Sequence, residues 1–272
     1  TGEHFSGRGI ALATLDATGR PIVSEEVVAE TPDPSFLAMA PHAPLLYAVN
    51  EVTDGRVTAF AVESDGSLSE LNSQPTLGSA PCHLSVHPSG KYLLTANYVS
   101  GNLAVHPIDK GGVLREPCHA VQHSGGGPNR QRQLGPHAHQ VLPDPSGSHV
   151  LAVDLGTDSI YVYDFDERSG HMVIREQAVL PPGSGPRHLV FHPSGGRGYV
   201  INELASTVTE FGYDDRSGAI ELGETLSTIP GDFEGENLAS EVVVTPDGRF
   251  VLGSNRGHDS IAVFSAESGD FR

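Results

Sequence analysis

One phrase returns five times in this chain of 272 residues: a short apolar strand, a turn built on proline, a second strand ending in Asn or Asp, then a third strand. The turn prolines are Pro41, Pro88, Pro145, Pro193 and Pro246, spaced 47, 57, 48 and 53 residues apart. Nine residues after each stands Asn50, Asn97, Asp154, Asn202 or Asn255. A strand-built repeat of roughly 50 residues restricts the chain to a propeller or a solenoid, because one such unit must stack on its neighbours to bury its apolar faces.

The turns are variants of one motif: His-Pro-Ser-Gly at 87–90 and 192–195, Asp-Pro-Ser-Gly at 144–147, Thr-Pro-Asp-Gly at 245–248. Proline supplies a fixed φ and glycine a positive one, so each motif closes a hairpin between the flanking apolar runs. A third, alternating strand follows in every module (56–62, 102–108, 159–165, 207–213, 260–266), then a second Gly turn, the last of them Ser268-Gly269, and a less regular fourth strand. Four antiparallel strands per repeat make a propeller blade. A β-helix fits less well, because its repeats are shorter and lack four-stranded units. The sequence therefore predicts one all-β propeller domain over residues 1–272, with modules starting near 35, 81, 136, 186 and 239. Residues 1–30 read as the outer strands of a closing blade, and the fifth module stops after its third strand. Open blade edges invite aggregation, so the expectation is a partial chain of about five modules plus an outer half-blade, drawn from a longer protein.

Composition narrows the partners. The formal net charge is −18, which argues against nucleic acid and anionic membranes, since both reward a basic face. Trp is absent, against WD40-type repeats, whose signature needs it. The only cysteines, Cys82 and Cys118, are no disulfide framework and suit a reducing, cytoplasmic compartment, although a single bridge between them stays open. No apolar run is long enough to span a membrane as a helix.

The repeat also supplies a frame for function. Residues just before a blade's first strand and just after its second converge on one rim of the central channel. Counted from the turn proline, minus six holds Ser35, Cys82, His139, Arg187 and Ser240; minus five holds Phe36, His83, Gln140, His188 and Glu241. Plus ten holds Glu51, Tyr98, Leu155, Glu203 and Arg256. The repetitive Asn and Asp at plus nine read as turn formers. Plus ten and minus six vary, and they set His139, Arg187, Glu203 and Arg256 on one face. Guanidiniums grip carboxylate or phosphate and stabilise oxyanions. A carboxylate or an imidazole takes a proton from water. This is a hydrolytic set without a side-chain nucleophile: no Gly-x-Ser-x-Gly elbow occurs, and nothing around Cys82 marks it as one.

Two long connections, 122–137 and 230–239, lie over the same rim, and long loops on a rigid scaffold often bind ligands. Gly125–Gly127 is no P-loop, since no Gly-Lys-Ser/Thr follows. His137 and His139, two apart on a strand, could ligate a metal, but no third ligand at matching depth is evident, so no metal is predicted.

At these residues the chain resembles the propeller-type lactonase family, which includes 6-phosphogluconolactonase and the carboxy-muconate lactonising enzyme. The matching phrases are Pro136-His-Ala-His139, Gly185-Pro-Arg-His188, Val200-Ile-Asn-Glu203 and Ser254-Asn-Arg-Gly-His-Asp-Ser260, with Arg132-Gln133 upstream. The resemblance implies a seven-bladed propeller that needs no cofactor and hydrolyses a sugar lactone, foremost 6-phosphogluconolactone in the pentose phosphate pathway. It places the active residues on His139, Glu203, Arg187 and Arg256, with His137 competing for the histidine role. His83, His137, His188, Tyr98, Arg132 and Asn202 are expected around the substrate. Either Glu203 or His139 would activate water. The rival readings are a muconate lactonising enzyme and a non-catalytic binding platform, because fold does not fix function.

Overall fold

The computed structural model describes residues 7–267 and 271–272; the expected Ser268-Gly269 turn lies outside them. Four modules are complete four-stranded antiparallel sheets, each a meander in chain order. The first holds β3 (Pro34–Met39), β4 (Leu45–Asn50), β5 (Arg56–Val62) and β6 (Leu68–Pro75). The second holds β7 (Pro81–Val86), β8 (Tyr92–Asn97), β9 (Asn102–Pro107) and β10 (His119–Gln122). The third runs β11 (Ala138–Pro143), β12 (His149–Asp154), β13 (Ser159–Asp166) and β14 (His171–Val179). The fourth runs β15 (Pro186–Phe191), β16 (Arg197–Asn202), β17 (Thr207–Tyr213) and β18 (Ile220–Ser227). A fifth sheet has three described strands, β19 (Leu238–Val244), β20 (Phe250–Arg256) and β21 (Ile261–Ser265), and β1 (Gly9–Leu15) pairs with β2 (Pro21–Glu30) in a two-stranded sheet.

The turns form for the reason their residues suggest. Gly90, Gly147, Gly195 and Gly248 take φ of 70°, 75°, 71° and 73°, the left-handed region where a Cβ is costly. The motif also does something its spelling does not reveal. His87 Nε2 donates to the Gly147 carbonyl of the next module's turn at 2.8 Å, while its Nδ1 accepts from Ser89 Oγ at 2.8 Å. His192 makes the same 2.8 Å bond to the carbonyl of Gly248. The turns thus tie neighbouring sheets together along one face.

Sheet-on-sheet burial supplies the core. Strands β8 and β12 are buried along their whole length. Each apolar cluster spans two successive sheets: Tyr47, Val57, Leu84 and Leu93 between the first and second; Leu94, Val105, Val141 and Tyr163 between the second and third; Leu151, Ile160, Val200 and Phe211 between the third and fourth; Tyr199, Val208, Val251 and Phe264 between the fourth and fifth. Ile10 joins the β1–β2 pair to Leu46 and Phe60 of the first module. Face-to-face packing of consecutive meanders is propeller architecture, as the repeat predicts. Apolar side chains remain exposed on the two terminal sheets: Leu15 and Ile22 on one, Val243, Ile261 and Val263 on the other. Among the described residues no helix is long and apolar enough to cross a membrane.

Candidate active site

All five inner hairpins share one irregularity. In four of them the register skips directly after the first residue pair, so that Ser35, Cys82, His139 and Arg187 oppose no partner; in the fifth it skips after the second pair, where Ser240 and Glu241 fall in a wider irregularity of β19. A bulge re-aims its extra residue and breaks the in-out alternation of a strand. Consecutive side chains, which a regular strand sends to opposite faces, therefore line one cavity together: Ser35 with Phe36, Arg187 with His188, Ser240 with Glu241. Every minus-six residue lies on that wall, as do Glu51, Tyr98, Glu203 and Arg256 from plus ten.

The cavity holds about 570 Å³, within the range of small-ligand sites. Its charged centre is Glu203, whose side chain is only 3% exposed. Arg132 Nη2 donates to Glu203 Oε1 at 2.5 Å, and Arg256 Nη2 donates to Oε2 at 2.8 Å. Arg187 Nε lies 3.4 Å from Oε2, and its Nη1 donates to the Ser240 carbonyl at 2.9 Å. Three guanidiniums thus share one buried carboxylate. Arg132 arrives from the long 122–137 connection, and its Nη2 also donates to Tyr98 Oη at 3.0 Å. That connection is held by Gln133, whose amide donates to the Leu155 carbonyl and to Asp158 Oδ1.

A nest of rings forms the apolar wall. His188 packs edge-on against His83 and His139, with centroids 5.3 and 5.1 Å apart, and Phe36 lies 4.2 Å from His83. Burial, helped by the Arg187 charge and by neighbouring imidazoles, holds the pKa of His139 well below the usual histidine value. His83 and His188 are lowered too, chiefly by burial. His188 Nδ1 bonds Glu241 Oε2 at 2.9 Å; burial is the largest influence on the Glu241 carboxyl and works against its charge, but this bond, the neighbouring His188 and Arg187 charges and the Val242 amide together hold its pKa below the usual range. Cys82 donates its thiol hydrogen to the His139 carbonyl at 3.4 Å, and its Sγ sits 3.8 Å from His139 Nδ1. Burial pushes that thiol far up, so it is a packing group and not a thiolate nucleophile. Neither cysteine carries a disulfide.

Of the residues expected from sequence, His139, Glu203, Arg187, Arg256, Tyr98, Arg132 and His188 wall the cavity. Three expected substrate contacts do not. His83 is buried in the ring nest. His137 stacks on Tyr98 at 4.6 Å and bonds its carbonyl through Nδ1 at 2.9 Å, so it supports Tyr98. Asn202 spends its amide on Thr207 and Thr209 within the scaffold. Glu51 and Glu241 lie on the wall without an assigned role from sequence, although the repeat frame already gives their positions; Leu238 lies outside that frame altogether. Among the described residues no group of three or more His, Cys, Asp or Glu is arranged to hold a metal ion. Such a cavity can bind an anionic ligand, stabilise developing negative charge with fixed guanidiniums, and present an unprotonated imidazole to water.

Known proteins resemble this chain over most of its length. The family profile described as lactonase, seven-bladed beta-propeller, matches residues 2–271. A 6-phosphogluconolactonase of Bacillus subtilis (strain 168) is 36% identical over 258 residues, covering 94% of this chain and 73% of that protein. A crystal structure of a Bacteroides fragilis protein named as a putative 6-phosphogluconolactonase superposes with a TM-score of 0.88 at 32% identity, covering 97% of this chain and 76% of that one. The periplasmic gluconolactonase of Pseudomonas aeruginosa superposes with a TM-score of 0.89 at 31% identity, covering 97% of this chain and 77% of that one.

Proposed function

The chain belongs to the lactonase family of seven-bladed β-propellers, and from that membership we propose that it hydrolyses the ring ester of a sugar lactone, 6-phosphogluconolactone giving 6-phosphogluconate. The observation that carries the reading is the convergence of His139, Arg187, Glu203 and Arg256 on one cavity, from four different strands or strand ends. We further propose that the sheets take their places in a seven-bladed ring, a count supported by the description of the matching family. A cytoplasmic setting is supported by the two free cysteines, while the Pseudomonas relative is named as periplasmic; the place in the pentose phosphate pathway rests on the proposed substrate alone.

The geometry divides the labour. Both Glu203 oxygens are engaged by guanidiniums, so its lone pairs are committed to holding the arginines. His139 faces the same cavity, and its lowered pKa leaves it unprotonated at neutral pH. In the proposed reaction His139 takes a proton from water as the water oxygen bonds to the lactone carbonyl carbon. Arg187 meets the oxyanion. Collapse breaks the bond between that carbon and the ring oxygen, and the imidazolium returns its proton to the departing alkoxide.

A spectrophotometric assay on freshly generated 6-phosphogluconolactone tests this. Arg187→Ala and Glu203→Gln are each expected to lower kcat/KM by about 100-fold or more, the scale of losing a preorganised charge stabiliser. Near-native rates in both variants, with folding confirmed by circular dichroism, would remove the assignment.

A further inference from the structure

The three guanidiniums around Glu203 are not equivalent. Arg187 is the deep one, its side chain 16% exposed against 32% for Arg132 and 50% for Arg256. It is pinned at Ser240, and its charge is near enough to the His139 ring to disfavour protonation there. It is also the compensated one, since Glu51 and Glu241 as well as Glu203 bear on it. Arg132 and Arg256 sit on the two opposite oxygens of one carboxylate, at 2.5 and 2.8 Å. Each uses its Nη2 for Glu203, and among the described residues Arg132 Nη1 and Nε and Arg256 Nη1 make no hydrogen bond. Two cations sharing one carboxylate leave uncompensated positive charge beside open donors, in a chain whose formal net charge is −18.

We propose that Arg132 and Arg256 form the subsite for the phosphate end of the substrate at the cavity mouth, while Arg187 serves the lactone carbonyl beside His139. The proposal rests on the lactonase reading above and assigns its two ends. A phosphate dianion matches the fork geometry of two guanidiniums held in place before it arrives. Arg132 comes from the 122–137 loop and is steadied by Tyr98, whose hydroxyl it holds at 3.0 Å. Tyr98 in turn lies 5.4 Å from the His139 ring, so the two ends of the site share one wall. Arg132 is then a specificity residue: it distinguishes a phosphorylated lactone from an unphosphorylated one.

The test compares kcat/KM for 6-phosphogluconolactone with kcat/KM for glucono-δ-lactone in the wild type, Arg132→Gln and Arg187→Gln. Binding of the products 6-phosphogluconate and gluconate is measured beside it by titration calorimetry. The ratio of the two kcat/KM values is expected to fall at least about tenfold in Arg132→Gln, the scale of a lost charge-assisted contact. In Arg187→Gln both lactones are expected to slow together, with the ratio held within about threefold. An equal loss on both lactones in Arg132→Gln would overturn the subsite, because Arg132 would then only order Glu203. Should Arg132→Gln fail to fold, Tyr98→Phe, which removes one of the two partners of Arg132 Nη2 and leaves Glu203 as the other, decides by the same ratio. A wild type that accelerates neither lactone ends the lactonase reading; calorimetry still judges the subsite, which stands if 6-phosphogluconate binds more tightly than gluconate only while Arg132 is present, and falls otherwise.

Discussion

At the residue scale, His139 owes its chemistry to its surroundings more than to its type. Its ring is nearly buried, beside the Arg187 guanidinium and the His188 and His83 rings, and all of these disfavour the imidazolium. Because the folded pKa is lowered, the base form persists as pH falls through the ordinary histidine range and is lost only below it. The ring C–H resonances of His139, assigned by their loss in His139→Gln, are expected to titrate with a midpoint below 6.5. A midpoint at or above that value would contradict the burial argument and leave His139 partly charged where catalysis is proposed. The position of His139 is legible in the sequence, since counting six residues back from Pro145 puts it on the rim. The count also places Asn202 at a repeated position, but its amide is spent on hydroxyls of the next strand, Thr207 and Thr209. His137 misleads for a different reason: two-residue alternation suggests that it shares a face with His139, and the bulge at His139 cancels that alternation.

At the element scale, strand, turn and module boundaries are readable because Pro and Gly punctuate them and apolar runs fill between. The bulges are not readable, because nothing in the residue types at 35, 82, 139 and 187 distinguishes a skipped register from a regular one. Nor does His-Pro-Ser-Gly announce that its histidine reaches the next module. His87 is buried, stacks on Phe165 at 4.7 Å and closes the Gly147 carbonyl, so it joins two sheets as well as capping its own turn. Removing it leaves a carbonyl without its partner and an apolar ring without its neighbour. His87→Ala is expected to cost about 1–3 kcal/mol in urea unfolding, the range for an unmade buried hydrogen bond. Ser89→Ala, which leaves the link to Gly147 intact, is expected to cost less than half as much. Equal costs would show that the stability lies within the turn and not between the modules.

At the scale of the whole molecule, the repeat makes a propeller legible because four-stranded units of this pattern cover their faces by packing on one another, while β-helix repeats are shorter and lack such units. The number of blades has no such signature: five turn prolines set a minimum, and seven comes from family resemblance. Charge is the other global property, and it sets two fields against each other. The chain carries a formal −18, while its Arg132, Arg187 and Arg256 converge on one cavity, with Arg132 and Arg256 toward its mouth. The screening length is about 30 Å at 0.01 M salt and about 10 Å at 0.1 M. At low salt an approaching dianion therefore feels the whole molecule and is repelled; at moderate salt it feels mainly the arginines it has nearly reached. kcat/KM for 6-phosphogluconolactone is accordingly expected to rise between 10 and 100 mM salt, with glucono-δ-lactone showing little change over roughly the same range. A fall for the phosphorylated substrate alone would mean that the arginine cluster outweighs the distant acidic surface even when nothing is screened. An equal response for both substrates would show that salt acts on the protein and not on the encounter.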